Sequence, residues 1–158
     1  MQKSPNHILP LIILSQFAGT SLWFVGNAIL PDIQQQLDIH SNALGNVTSV
    51  VQFGFITGTL LFAIFSIADR FSSSAVFFAS SLIAAIANVS VIWLAKSVSM
   101  LFLLRFITGF FLAGIYPVGM KIASDWYEKG LGKALGWLVG ALVLGTAFPH
   151  LLKSNVYA

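Results

Sequence analysis

Cysteine is absent from all 158 residues, which removes disulfides, thiolate zinc clusters and thiol catalysis together and leaves the redox compartment unmarked. Charge is nearly as scarce: eight Lys and Arg and five Asp and Glu make up 8% of the chain, where a soluble domain carries about 25%. With 57% hydrophobic residues and a mean hydropathy of +0.87, that scarcity excludes a soluble fold and excludes disorder more firmly still. The net charge of +3 comes from scattered lysines and arginines with no basic block, so nucleic acid is not an expected partner. His7, His40 and His150 fall in different segments, and the chain has no HExxH, no paired carboxylates inside an apolar run and no readable Ser/His/Asp set. No metal, no cofactor and no enzymatic activity is therefore expected.

What the sequence does have is length without charge. A hydrocarbon core about 30 Å thick takes about 20 helical residues to cross. Between Lys3 and Asp32 lie 28 uncharged residues, between Asp38 and Asp69 lie 30, between Arg70 and Lys96 lie 25, and between Lys133 and Lys153 lie 19. The 24 residues from Lys96 to Lys121 are interrupted only by Arg105. The fold class expected is all-α, a polytopic transmembrane helix bundle forming one domain over 1–158, with spans near 8–30, 44–68, 74–95, 98–120 and 134–152. A cleaved secretory signal is the alternative for the first run, but its apolar stretch exceeds the roughly 7–15 residues of a signal core. The connections Asp69-Arg70-Phe71-Ser72-Ser73-Ser74 and Lys96-Ser97 are so short that the spans they join must be antiparallel neighbours.

Orientation follows from the basic residues, which are retained on the cytoplasmic side during insertion. With the amino terminus inside, Lys3, Arg70, Lys121, Lys129 and Lys133 lie inside and only Lys96 and Lys153 outside. The expectation is a multi-pass protein of the inner or plasma membrane, amino terminus cytoplasmic, carboxyl end of this chain outside, with Trp126 and Tyr127 anchoring the inner interface.

Polar residues inside spans are expensive and so informative. Gln16, Thr20, Trp23 and Asn27 are spaced 4, 3 and 4 apart, a single helical face that should meet protein or water. That face serves either as interhelical glue or as a solute lining, the latter with Trp23 and Asn27 as ligands. Arg105 is the only charge well inside a span, and at the bilayer centre it costs roughly 2.5–3.5 kcal/mol unless it has a partner or an aqueous cavity. Its face continues through Thr108, Leu112 and Tyr116. The competing reading is snorkelling, since the outer boundary is only about 10 Å away. Gln52 and Asn88 are isolated amides; Gln52 is the better candidate because Thr48 and Thr59 share its face, whereas the third span lacks an extended polar stripe and suits the lipid-facing periphery. Gly54 and Gly58, and Gly132, Gly136 and Gly140, are GxxxG patterns that permit close helix approach. Pro117 removes the hydrogen bond to the Ala113 carbonyl and should bend the fourth helix.

Asp69-Arg70 after the second span, Leu101, Arg105, Thr108 and Gly109 in the fourth, and Asp125-Trp126-Tyr127 with Gly132-Lys133-Ala134-Leu135-Gly136 before the fifth together resemble the amino-terminal half of a major facilitator superfamily transporter. Phe65 and Ser72 stand at two positions where the family's signature has glycine, and Thr108 where it has glutamine. The resemblance implies alternating access of a small solute, with Trp23, Asn27, Gln52, Arg105 and Tyr116 near the solute and Asp69, Arg70 and Arg105 in gating or coupling. It also implies a fragment: further helices, from a missing carboxyl-terminal half or from partners, would complete the transporter. A cationic Arg105 favours an anionic solute, or pairs with an acid that exchanges H+ as coupling ion; no Asp or Glu lies within the spans themselves. The partners expected are the lipid bilayer and that solute. A non-transporting membrane assembly or scaffold subunit is the rival reading.

Overall fold

The computed structural model describes residues 7–37, 43–127 and 130–156, with side chains over 7–24, 45–127 and 130–147. Among the described residues seven helices run in chain order: α1 (Ile8–Leu37), α2 (Ala43–Ile64), α3 (Ile67–Arg70), α4 (Ser73–Leu94), α5 (Val98–Leu112), α6 (Tyr116–Trp126) and α7 (Leu131–Val156). No strand occurs among the described residues. The fold is an all-α helical membrane bundle. Three of the described helical stretches are long and apolar enough to cross a membrane: Gly45–Ile64, Ser73–Leu94 and Val98–Trp126. Ile8–Phe24 and Leu131–Ala147 are shorter apolar stretches of α1 and α7.

Local chemistry explains the boundaries. α1 continues past residue 30 through Pro31 to Leu37. The second apolar run divides where Ser66 takes a left-handed conformation (φ 49°), so that the single turn α3, carrying Asp69 and Arg70, stands apart from α2. α5 starts where the Ser97 hydroxyl accepts from the Met100 amide at 3.3 Å, an N-cap that ends the short connection from α4. The fourth run is interrupted at residues 113–115, where the amides of Ala113, Gly114 and Ile115 bond three residues back to Phe110, Phe111 and Leu112. Pro117, which has no N–H for the Ala113 carbonyl, sits one turn later in α6.

The helices pair α2 with α5, α1 with α7 and α4 with α5, while α6 meets both α1 and α4. Backbone contact governs the first pair. A Cβ on Gly54 or Gly58 would collide with the carbonyls of Phe106 and Phe110, and one on Gly109 would collide with the carbonyl of Val51. Two helices thus meet main chain to main chain, which only glycine at these three positions allows. By contrast, a Cβ on Gly132, Gly136 or Gly140 meets nothing within 4 Å, so the repeated GxxxG of α7 faces no described helix.

The bundle is apolar on its outside. Phe53, Ile56, Leu60 and Ile64 of α2 and Phe78, Leu82, Ile86, Val89 and Trp93 of α4 repeat at helical spacing and are each about half exposed or more. The inner face of α4 carries small and polar residues instead: Val76, Ser80, Ala84, Ala87, Asn88 and Val91. Water could not face such continuous apolar stripes, but lipid can. Gly109→Ala should therefore lower stability by about 1–3 kcal/mol, while Gly140→Ala should leave it within about 0.5 kcal/mol. Melting temperatures of the two variants in detergent check the contrast, and equal effects would refute the main-chain packing of α2 on α5.

Candidate functional site

Arg105 lies on the inner face of α5 and is 1% exposed. Its guanidinium reaches in two directions. Nη1 donates to Asn88 Oδ1 on α4 at 2.9 Å, and Nη2 donates to the main-chain carbonyl of Trp23 on α1 at 3.1 Å. Asn88 is itself bridged, its Nδ2 donating to the Leu22 carbonyl at 2.7 Å. The amide can face only one way, because turning it would set Nδ2 against the guanidinium and Oδ1 against a carbonyl. Nε of Arg105 has no partner among the described residues. Three helices are tied at one point by a cation whose described partners are all neutral.

The candidates read from sequence distribute unevenly around this node. Trp23 is at it through its carbonyl, and its ring packs on Phe55 with centroids 4.9 Å apart. Asn27 lies in α1, but its side chain falls outside the described residues. Gln52 is exposed on α2 beside Val51, which is buried against α5 and α4 neighbours. Tyr116 is half-buried at the start of α6, beyond the interruption at 113–115, and its side chain makes no hydrogen bond to another described residue. Thr108 is fully buried and satisfies its hydroxyl on the Leu104 carbonyl at 2.9 Å.

Asp69 and Arg70 sit apart from the node on the exposed turn α3. Asp69 forms an ion pair with Lys121 of α6, whose Nζ also donates to the Ala68 carbonyl at 2.6 Å. The pair links the connection between α2 and α4 to α6. A partly solvated pair of this kind contributes about 1 kcal/mol at most. Arg70 has no ion pair among the described residues.

Two participants went unrecognised in the sequence. Asn88 looked like an isolated amide in a peripheral helix; the usable signal was its place in the small-residue face Ser80, Ala84, Ala87, Val91, which marks the side of α4 turned inward. From the sequence alone Lys121 is legible only as a topological charge. Gln16, from the polar face of α1, is fully buried, and neither Oε1 nor Nε2 has a partner among the described residues. Gly119 of α6 leaves the room its Oε1 occupies. A groove of about 330 Å³ runs beside it, lined mainly by Ile8, Leu11, Ile12, Phe77, Ile122 and Trp126.

Lipid-facing apolar stripes around a buried cation satisfied by amide and carbonyl groups define a polytopic helical membrane protein. The family model described as Major Facilitator Superfamily matches residues 11–150, and the chain belongs to that superfamily. It is thus a membrane transporter protein in the general sense of the family. No curated protein and no solved structure matches it.

Two outcomes follow from the side-chain geometry. Arg105→Lys replaces a two-way fork by a single ammonium, which cannot hold Asn88 and Trp23 together, and should cost about 1.5–3 kcal/mol in denaturant unfolding; an unchanged midpoint would dismiss the bridge. Gln16→Leu removes an amide with no described partner and should leave the melting temperature equal or higher. A clear fall would mean that the amide is well satisfied.

Proposed function

We propose that the chain takes part in moving a small solute by alternating access, with the Arg105 node as the cationic element of the solute path. The observation that carries this reading is a fully buried guanidinium in an apolar bundle, bonded to one amide and one carbonyl rather than to an acid. Its placement argues against snorkelling, because the side chain turns inward to α4 and α1 instead of outward along α5. A cation retained at such cost inside the hydrocarbon region marks a solute or ion pathway more often than a structural strut. Its charge favours an anionic solute. Trp23 stands at the node through its carbonyl, and Asn27 follows one helical turn further along α1.

The topology proposed has the amino terminus in the cytoplasm, which puts the Asp69–Lys121 pair and Trp126 at the inner surface. Asp69 and Arg70 would then act there as the gate, with Lys121 as the groups' local anchor. The interruption at 113–115 supports movement of α6 relative to α5, since irregular backbone in a membrane protein is tolerated where it borders a cavity or other protein. A non-transporting assembly subunit would make use of the open Gly132, Gly136 and Gly140 face, and measurement of flux separates the two readings.

The test is uptake into liposomes by the transport-competent protein that carries this sequence, using labelled carboxylates and phosphate beside neutral sugars and polyols. Flux of at least one anion is expected, and Arg105→Gln should reduce it tenfold or more at equal amounts of inserted protein. Unchanged flux in that variant would discard the role given to Arg105.

A further inference from the structure

The charge balance around Arg105 is unusual in one respect. α2, α4 and the described side chains of α1 contain no ionisable residue, and α5 contains none besides Arg105 itself. α6 carries Tyr116, Lys121 and Asp125, with Lys121 engaged by Asp69. Among the described side chains of α7 the only ionisable one is Lys133, and His150 and Lys153 follow further along the helix. The one acid in α1 is Asp32, nine residues beyond Trp23 and about 13 Å further along the axis. Where a buried guanidinium usually meets a carboxylate, this one meets the amide of Asn88, 7% exposed and already fixed to the Leu22 carbonyl.

We propose that Asn88 is a positioning residue that sets the charge selectivity of the node: as a neutral amide in the place of a counter-ion, it orients the Arg105 fork while leaving its positive charge uncompensated, so that the node selects anions. The inference rests on the reading of Arg105 as the cationic element of the solute path. Its physical basis is the difference between two isosteres. Asn and Asp have nearly the same shape, and either can accept from Nη1. Only Asn can also donate to the Leu22 carbonyl, and only Asp would cancel the charge. A carboxylate at 88 would satisfy Arg105 internally and remove the reason for an anion to approach it. The amide instead supplies one strong hydrogen bond and no neutralisation.

The interaction also explains why α4 contributes to a site although its outer face is turned to lipid. Asn88 joins the carbonyl of one turn of α1 to the side chain of α5, so the orientation of the guanidinium depends on all three helices keeping register. Arg105 and Asn88 are separated by 17 residues, Asn88 and Leu22 by 66, and Arg105 and Trp23 by 82. A shift of α1 against α4 and α5 would break both carbonyl contacts together and free the fork.

The experiment is thermal unfolding of the purified, detergent-solubilised protein with methanesulfonate and inorganic phosphate as anionic probes and methanesulfonamide as the neutral isostere, at constant ionic strength. The wild type should be stabilised by at least one anion and not by the sulfonamide. Asn88→Asp should need at least tenfold more anion at pH 7.5, with the response to methanesulfonate recovering as the pH is lowered through the titration of the new carboxyl. That probe stays ionised over the range, so recovery reports neutralisation of residue 88. Asn88→Ser, neutral but shorter, should melt lower and bind more weakly while still preferring the anion, and it decides the matter if the acidic variant does not fold. An Asp variant that responds like the wild type, or a folded Ser variant that loses the preference for the anion, overturns the role of Asn88 alone. A wild type that does not distinguish the anions from the sulfonamide overturns the anion-selecting reading of Arg105 and this inference with it.

Discussion

A guanidinium cannot shed its proton inside a bilayer, and the helices around it have to supply what water would have supplied. In this protein the supply is an amide and a main-chain carbonyl, Asn88 Oδ1 and the oxygen of Trp23, at ordinary hydrogen-bond distances from Nη1 and Nη2. Much of the interior is arranged so that these groups can meet. α4 must turn its small face inward for Asn88 to arrive, α1 must present its 22–23 turn, and α5 must lie close enough to both for one side chain to span the gap. The same contacts that stabilise the cation thereby fix three helices in register.

Close approach depends on the absence of side chains as much as on their presence. Gly54, Gly58 and Gly109 let α2 and α5 touch main chain to main chain, and Gly119 makes room on α6 for the Gln16 amide. Lipid tails are as apolar as leucine, so no hydrophobic driving force holds these helices together; shape and interhelical hydrogen bonds do it instead. Large apolar residues accordingly cover the faces of α2 and α4 that meet lipid, while Ser80, Ala84, Ala87, Asn88, Arg105 and Thr108 sit inside beside Leu101, Leu112 and Ile115.

Family membership and geometry support each other at different resolution. The superfamily match over residues 11–150 establishes a membrane transporter in general terms. The node establishes which polar groups share one place: Arg105, Asn88 and the Leu22–Trp23 turn, with Asp69 and Lys121 paired elsewhere. The orphan amide of Gln16 lies seven residues before Trp23 on the same helix, about 10 Å along the axis, so the polar face of α1 passes from one buried group to the other.

The sequence by itself determined that this is a bundle of membrane-crossing helices, because the cost of burying charge is local and shows directly as runs without Lys, Arg, Asp or Glu. It also singled out Arg105, the one residue that broke such a run, and Pro117, whose missing N–H marks the interruption beside it. Only the tertiary structure decided which neutral groups answer Arg105, that Asn88 is turned inward while Gln52 is exposed, that Asp69 is held by Lys121, and that the glycines of α2 are in contact while those of α7 are open. Hydropathy is a property of neighbours in the chain, whereas these contacts join residues tens of positions apart, and nothing in a linear pattern of polar and apolar letters says which face of one helix meets which face of another.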